Sequence, residues 1–347
     1  MSLDHGYRAV RLRIGAVSDL LSVRSLVVGS LLVLGTAAMA VGALGMGTFE
    51  LSPSDVLSAL LGTSESRAAR LVVVEWRLPR VLFAILCGAA LALSGAVFQS
   101  LTRNPLGSPD IIGFGAGSYT GAIVVMLMIG STRYLDIAAG ALIGGCVTAL
   151  VVYLLAYQRG TAQPFRLIIM GIGVGALLGS LNSWLMLTVN VDSAMLAAVW
   201  AAGSLNGLGH EQLWPMAVTL LVLLVVLAGV SRGLSQLELG DDASRSLGLN
   251  ANLVRASAVI LGVALIALVT AAAGPISFVA LAAPQIARRL VRGNGLMLVP
   301  SALVGAFVLL AADIVAQGAG FPVGVVTVSV GGTYLAWLLA SEFRRKR

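Results

Sequence analysis

The chain has 347 residues, 58% of them hydrophobic and 11% charged, with a mean hydropathy of +0.98. Soluble domains carry about 25% charged residues, so the composition excludes a disordered chain and argues against a soluble enzyme. The formal charge of +7 fits arginine-rich cytoplasmic loops, the bias that orients membrane proteins, and not nucleic acid. What remains is an all-α polytopic membrane protein of about ten spans, at roughly 20 residues per span.

Apolar runs fall, in chain order, at 25–44, 81–101, 111–129, 135–157, 167–189, 213–230, 254–273, 276–290, 296–316 and 323–340. The eighth is short and is interrupted by Pro284, and a further short helix is expected at 194–202. A polar, arginine-rich tail (1–24) precedes this transmembrane body (25–341), and a basic tail (342–347) follows it. Ten spans place both termini on one side. If that side is cytoplasmic, it carries 17 of the 22 Lys and Arg residues, and only Arg67, Arg70, Arg77, Arg80 and Arg133 lie outside. The positive-inside bias therefore puts both termini in the cytoplasm. Four of the outer arginines cluster before the second span, as a solvated loop or as a docking patch for an acidic partner.

The sole lysine, Lys346, lies in the C-terminal tail, so no phosphate-binding loop is possible and any ATP-driven work belongs to a partner. The two histidines, His5 and His210, have no Cys or carboxylate cluster at metal-ligand spacing, and no hydrolytic triad is readable. No catalysis and no resident cofactor is expected. Cys87 and Cys146 sit in apolar runs and read as small core residues.

Asp313 lies inside the ninth run, where a carboxylate is costly. It reads either as a coupling residue of a proton-driven carrier or as an acid held by neighbouring polar groups. Gln99 and Asn182 are further polar groups at depth, with interhelical hydrogen bonding as their default. Gly113, Gly117 and Gly121, and likewise Gly171, Gly175 and Gly179, repeat at i+4 and mark close-packing faces or a smooth pathway wall. Two helix breaks stand out. Asn104-Pro105-Leu106-Gly107-Ser108-Pro109 is placed on the inner side, and Ala273-Gly274-Pro275-Ile276-Ser277-Phe278 on the outer side. Breaks in opposite leaflets hint at an inverted repeat. The polar stretch 236–252 carries Asp241 and Asp242 where a helix N-terminus favours acids, one or two turns over 243–247, and Gly248 as a C-cap. It reads as a short amphipathic helix on the inner face, either an ordinary loop helix or a plug for a cytoplasmic subunit.

Together these motifs resemble the FecCD/BtuC-type permeases of bacterial ATP-binding cassette importers for ferric siderophores, haem and cobalamin. The resemblance rests on Glu-Trp-Arg-Leu-Pro-Arg-Val at 75–81, Gly88 to Gly95, Gln99 to Pro109, Gly240 to Gly248, Ala273 to Phe278, Ala-Pro-Gln-Ile-Ala-Arg-Arg at 283–289 and Pro-Val-Gly-Val-Val-Thr at 322–327. Within the family it is most similar to second permease subunits of ferric enterobactin importers. The resemblance implies a BtuC-like type II fold in the bacterial inner membrane. It also implies two permease subunits (a homologue, or a second copy), two partner ATPases that bind ATP and Mg, and an outer substrate-binding protein. It assigns binding-protein docking to Arg77 and Arg80. The cytoplasmic gate falls to Asn104 and Leu106, with Pro164 and Phe165 where relatives often carry small hydroxyl residues. The ATPase coupling helix falls to Gly240, Asp241, Asp242, Ala243, Leu247 and Gly248.

Overall fold

A computed structural model describes residues 9–14, 17–47, 49–158, 161–293 and 295–345; His5, Arg8, Arg159, Lys346 and Arg347 lie outside the described residues. The N-terminal stretch expected as a plain tail holds an antiparallel hairpin, β1 (Ala9–Ile14) with β2 (Val17–Ser22). Helix α1 (Val23–Gly45) starts where the Ser22 hydroxyl accepts the Ser25 N–H, satisfying an otherwise orphaned donor. A Ser52/Asp55 capping box with Pro53 in the first turn starts α2 (Pro53–Leu60).

Helix α3 (Arg67–Thr102) runs 36 residues and is π-wound over Leu71–Arg77, where the Leu78 N–H bonds the Val73 carbonyl. The cause is Pro79, which has no N–H for the Glu75 carbonyl and crowds the turn before it. A wider turn relieves that conflict. Then follow α4 (Phe114–Ile129), α5 (Tyr134–Ala156), a two-residue hairpin of β3 (Tyr157–Gln158) and β4 (Thr161–Ala162), and α6 (Pro164–Thr188). The remaining helices are α7 (Val191–Ala201), α8 (His210–Leu237), α9 (Asp241–Ser246), α10 (Ala251–Ala273), α11 (Val279–Val291), α12 (Leu298–Ala319) and α13 (Val323–Arg345). Each of the ten apolar runs holds a helix. Among the described residues, seven helices, α1, α3, α5, α6, α8, α10 and α12, are each long and apolar enough to cross a membrane.

The core is built on α3 and α10, whose apolar windows are mostly buried and which pack on each other. Around them lie α12 and α11 on one side and α4 and α5 on the other. Phe83, Leu91 and Phe98 of α3, Phe114 of α4 and Leu265 of α10 are fully buried. Glycine sets how closely these helices approach. A methyl group on Gly88 or Gly305 would sit 2.2 Å from the other residue's carbonyl oxygen, and one on Gly95 would sit 1.7 Å from the Ala280 oxygen. Of the two i+4 stripes, Gly117 faces Gly144 and Thr148, Gly121 faces Gly140, and Gly113 faces Gly171 and Gly175, whereas Gly179 faces open space. Helices α1, α6 and α8 are mostly exposed and apolar, the surface expected toward lipid or a partner subunit. Cys87 is buried, but Cys146, expected in the core, is exposed on α5. An apolar run alone does not say which face a residue takes.

Of the helices that fill the ten apolar runs, α4 and α11 are too short to span. The 16 residues of α4 and the 13 of α11 rise about 24 Å and 20 Å at 1.5 Å each, against a hydrocarbon thickness of about 30 Å. The breaks before them, 103–113 and 274–278, are folded in among other helices, as irregular backbone at depth must be.

Candidate functional site

The N-terminal part of α3 carries the two arginines expected to face a docking partner. Both guanidinium groups are engaged within the chain. Arg77 donates from Nη1 to the Leu44 carbonyl and from Nη2 to the Phe49 carbonyl, each at 2.8 Å, so it caps the C-terminal end of α1. Arg80 grips Asp313 of α12 with two parallel bonds, Nε to Oδ2 and Nη2 to Oδ1, both at 2.9 Å. Its Nη1 donates to Asn206 Oδ1 in the connection between α7 and α8. Gln317, one turn on, donates to Asp313 Oδ2 at 2.9 Å. Asp313 is 0% exposed and the Arg80 side chain 19%. Of the two readings of Asp313, the geometry supports an acid held by neighbours. Its principal holder is a charged fork, and removing one partner of such a buried pair costs about 3–5 kcal/mol. Beside the pair opens a cavity of about 510 Å³, lined by Met46, Arg80, Asn206, Gln317 and Phe321 among others. Nearby, His210 Nε2 lies 2.9 Å from the Val74 carbonyl in the π-wound segment.

The two helix breaks, expected on opposite sides, meet. The Asp110 carboxylate lies beside the Phe278 backbone N–H, while its Oδ2 is buried without a hydrogen-bond partner. Phe278 takes φ +69°, rare for a bulky residue, and its side chain packs where Gly331 of α13 leaves room. The short α4 and α11 bring this about, because each break must make up the missing depth. Asn182 is buried on α6, but its Oδ1 has no hydrogen-bond partner, so the interhelical bond expected of that oxygen is not made.

At its C-terminal end, α3 stops at Arg103 in a left-handed conformation, φ +49°. The turn that follows is held locally, with Asn104 Oδ1 accepting the Leu106 N–H at 2.9 Å, an Asx turn. It is also held from outside. Gln285 of α11 donates to the Pro105 carbonyl at 3.3 Å and to Gln99 Oε1 at 2.6 Å, and Gln99 donates to the Leu281 carbonyl at 3.0 Å. Gln99 thus bridges helices as expected, and Gln285, which sequence reasoning did not single out, links it to the turn. Pro164 opens α6, a position where its missing N–H costs nothing. Phe165 beside it is 72% exposed.

The short polar helix expected within 236–252 is α9. Gly240, at φ +110°, precedes Asp241, and Ser244 is buried with its hydroxyl on the Gln236 and Gly240 carbonyls. Asp241 accepts two bonds from Arg255 Nη2 of α10, at 2.9 and 3.0 Å, and one from Arg103 Nη2 at 3.2 Å. Burial pushes the Asp241 carboxyl up. The Arg255, Arg103 and Arg245 guanidinium groups outweigh that and hold it below the usual carboxylate range. Asp242, Ala243, Leu247 and Gly248 are left exposed. The helix is therefore pinned on one side and free on the other.

A family model described as the FecCD transport family matches residues 31–341. The chain belongs to the FecCD transport family. Among its relatives, the ferric enterobactin transport system permease protein FepG of Escherichia coli is 46% identical over 327 residues, covering 93% of this chain and 98% of that one. The Fe(3+)-citrate import system permease protein YfmE of Bacillus subtilis is 34% identical over 313 residues, covering 89% and 93%. A solved metal-chelate type ABC transporter in an inward-facing conformation superposes with a TM-score of 0.79 at 28% identity, covering 91% of this chain and 99% of that one. As a FecCD permease, the chain has the BtuC-like fold and is an integral membrane transport subunit.

Sequence reasoning missed three residues of this site in these roles: Arg80 as the partner of Asp313, Gln285 as the tie to the Asn104–Leu106 turn, and Arg255 beneath Asp241. The first left a signal. Arg80 stands at the start of the second apolar run and Asp313 near the end of the ninth, so, with the runs alternating in direction, opposite charges stand near one surface at matching depth.

Proposed function

We propose that this FecCD permease is one transmembrane half of an ATP-binding cassette importer that carries a ferric siderophore, of the enterobactin type, inward across the bacterial cytoplasmic membrane. The observation that carries the reading is the 46% identity to a ferric enterobactin permease along almost its whole length. The termini lie in the cytoplasm. The second half is a homologous subunit, two ATPases sit below, and a substrate-binding protein docks above. Nucleotide and Mg belong to the ATPases.

In mechanism, the exposed face of α9 rests on an ATPase. Movement there passes through Asp241 to Arg103, and so to the Asn104–Leu106 turn beside it in sequence. That turn and the Phe165 end of α6 form the inner gate. The iron travels as a preformed chelate, held by weak contacts along α4, α6 and α13, because tight binding would oppose release. With Asp313 held by Arg80, no proton-relay chain is needed and ATP supplies the drive.

The test has two parts. The chain is purified in mild detergent to identify what accompanies it, and uptake of iron-55 enterobactin is measured in cells lacking it. A co-purifying ATPase, a second permease and lost uptake are expected. Isolation without an ATPase would overturn the reading.

A further inference from the structure

The C-terminal end of α11 collects arginines that have no part in the gate or in the ties of α9. Arg24, on the first turn of α1, donates from Nε to the Leu290 carbonyl at 2.7 Å. It thereby caps the end of α11, where carbonyls lack helical partners. Arg289 lies over the Trp337 ring of α13, its guanidinium carbon 5.0 Å from the ring centroid, a cation–π contact. Arg292 stands just past the helix, at φ +54°. All three are exposed, and none forms an ion pair among the described residues. Arg288 differs, being half-buried and acted on by the Glu238 charge.

An arginine that only sets topology needs no fixed position. Arg24 and Arg289 are fixed, yet both keep donors open. The Arg24 bond uses Nε alone, and the stack on Trp337 uses the face of the Arg289 guanidinium, which leaves its N–H edge for an anion. Apolar side chains adjoin these charges. Val23 and Val27 of α1, Leu290 of α11 and Trp337 of α13 are all exposed, and α11 packs on both α1 and α13. Fixed positive charge at the end of an apolar, lipid-facing surface, with an exposed Trp beside it, fits a molecule that is anionic at one end and apolar at the other. We propose that the C-terminal end of α11 binds the headgroup of an anionic phospholipid. Arg24, Arg289 and Arg292 donate to its phosphate, and its acyl chains run along α1 past Val23 and Val27. The binding needs only the membrane setting of the chain. Its consequence for transport rests on the importer reading: Gln285, one turn before Arg289, holds the Pro105 carbonyl, so a lipid bound here steadies the helix that restrains the Asn104–Leu106 turn.

The test uses the full chain with the subunits that accompany it, purified and stripped of lipid in a neutral detergent. Offered equal amounts of phosphatidylglycerol and phosphatidylcholine, the complex should retain at least fivefold more phosphatidylglycerol in native mass spectra. Arg289→Gln with Arg292→Gln should bring that preference to within twofold of parity. Arg133→Gln with Arg232→Gln removes the same charge from exposed positions elsewhere and should leave the preference within twofold of the wild type. A second measurement needs no variant. Phosphatidylglycerol should raise the melting temperature of the wild type, and inorganic phosphate at the same ionic strength should not. Four results would overturn the proposal. Equal retention of the two lipids by the wild type removes it outright. A preference that falls equally in both variants is a diffuse attraction to charge and not a site. An equal rise in melting temperature with phosphate makes this a site for a free anion. A preference that survives Arg289→Gln with Arg292→Gln, while another subunit is lost from the complex, makes the arginines a protein contact. None of these results bears on whether the complex is an importer, which the accompanying ATPase and the uptake assay decide.

Discussion

Asp241→Asn tests how movement reaches the gate. Helix α9 has six residues, far below the length at which a helix holds itself in water, so its pose depends on its ties. The substitution keeps one acceptor and removes the charge. Of the three bonds lost or weakened, the Arg103 contact is long and exposed, and such a pair contributes little. The two from Arg255 matter more, because that side chain is 4% exposed and loses the Asp241 charge. Charge-assisted bonds contribute about 1.5–3 kcal/mol each. The half-open position of Asp241 and the acceptor that Asn retains bring the net loss to about 2–3 kcal/mol. At 1.36 kcal/mol per decade, the ratio of pinned to released α9 falls about 30- to 150-fold. Reconstituted transporter should keep hydrolysing ATP while uptake per ATP falls about tenfold or more. Uptake per ATP within twofold of the wild type would refute the link from α9 to Arg103.

Other expectations concern packing, the gate and pH. Gly95→Ala places a methyl group 1.7 Å from the Ala280 oxygen. Backbone cannot yield as a side chain can, so the change should cost at least the ~1–3 kcal/mol of overpacking, read as a lower melting temperature. Gln285→Ala frees the Pro105 carbonyl and orphans Gln99 Oε1, costing about 1–3 kcal/mol. Proteoliposomes carrying it should leak chelate without ATP, and a tight membrane would disprove the tie. The Asp241 carboxyl is held below its usual range. Its contribution is therefore fully present above the unfolded carboxylate value of about 3.9 and fades as pH falls through the lower folded value. The melting-temperature gap between wild type and Asp241→Asn should stay constant from pH 8 to 5 and shrink only below about 4.

The helices were legible because each apolar run is longer than chance allows in a soluble chain, and the ten runs reappear as ten helices. The i+4 glycines announced close packing, and Gly117 and Gly121 fulfil it. Pairing was not legible. The partner of Asp313 lies 233 residues away, and no local pattern encodes such a distance. The meeting of the two breaks was hidden for a related reason. Hydropathy marks where a run is apolar, but the runs at 111–129 and 276–290 include backbone that is not helical, so their true lengths, and the depth of the breaks, appear only in three dimensions. Face assignment failed at Cys146 for want of a strong polar contrast around α5, where almost every residue is apolar.

The Arg80–Asp313 pair also has an electrical meaning. A lone carboxylate carried through the membrane field does work of about 2.3 kcal/mol per 100 mV. Paired with its guanidinium, it forms a small neutral dipole, and α3 and α12 can shift along the membrane normal without moving net charge at that point. The resting potential then finds no lever there. A cell whose membrane has partly depolarised leaves the balance between the protein's states unchanged at this pair.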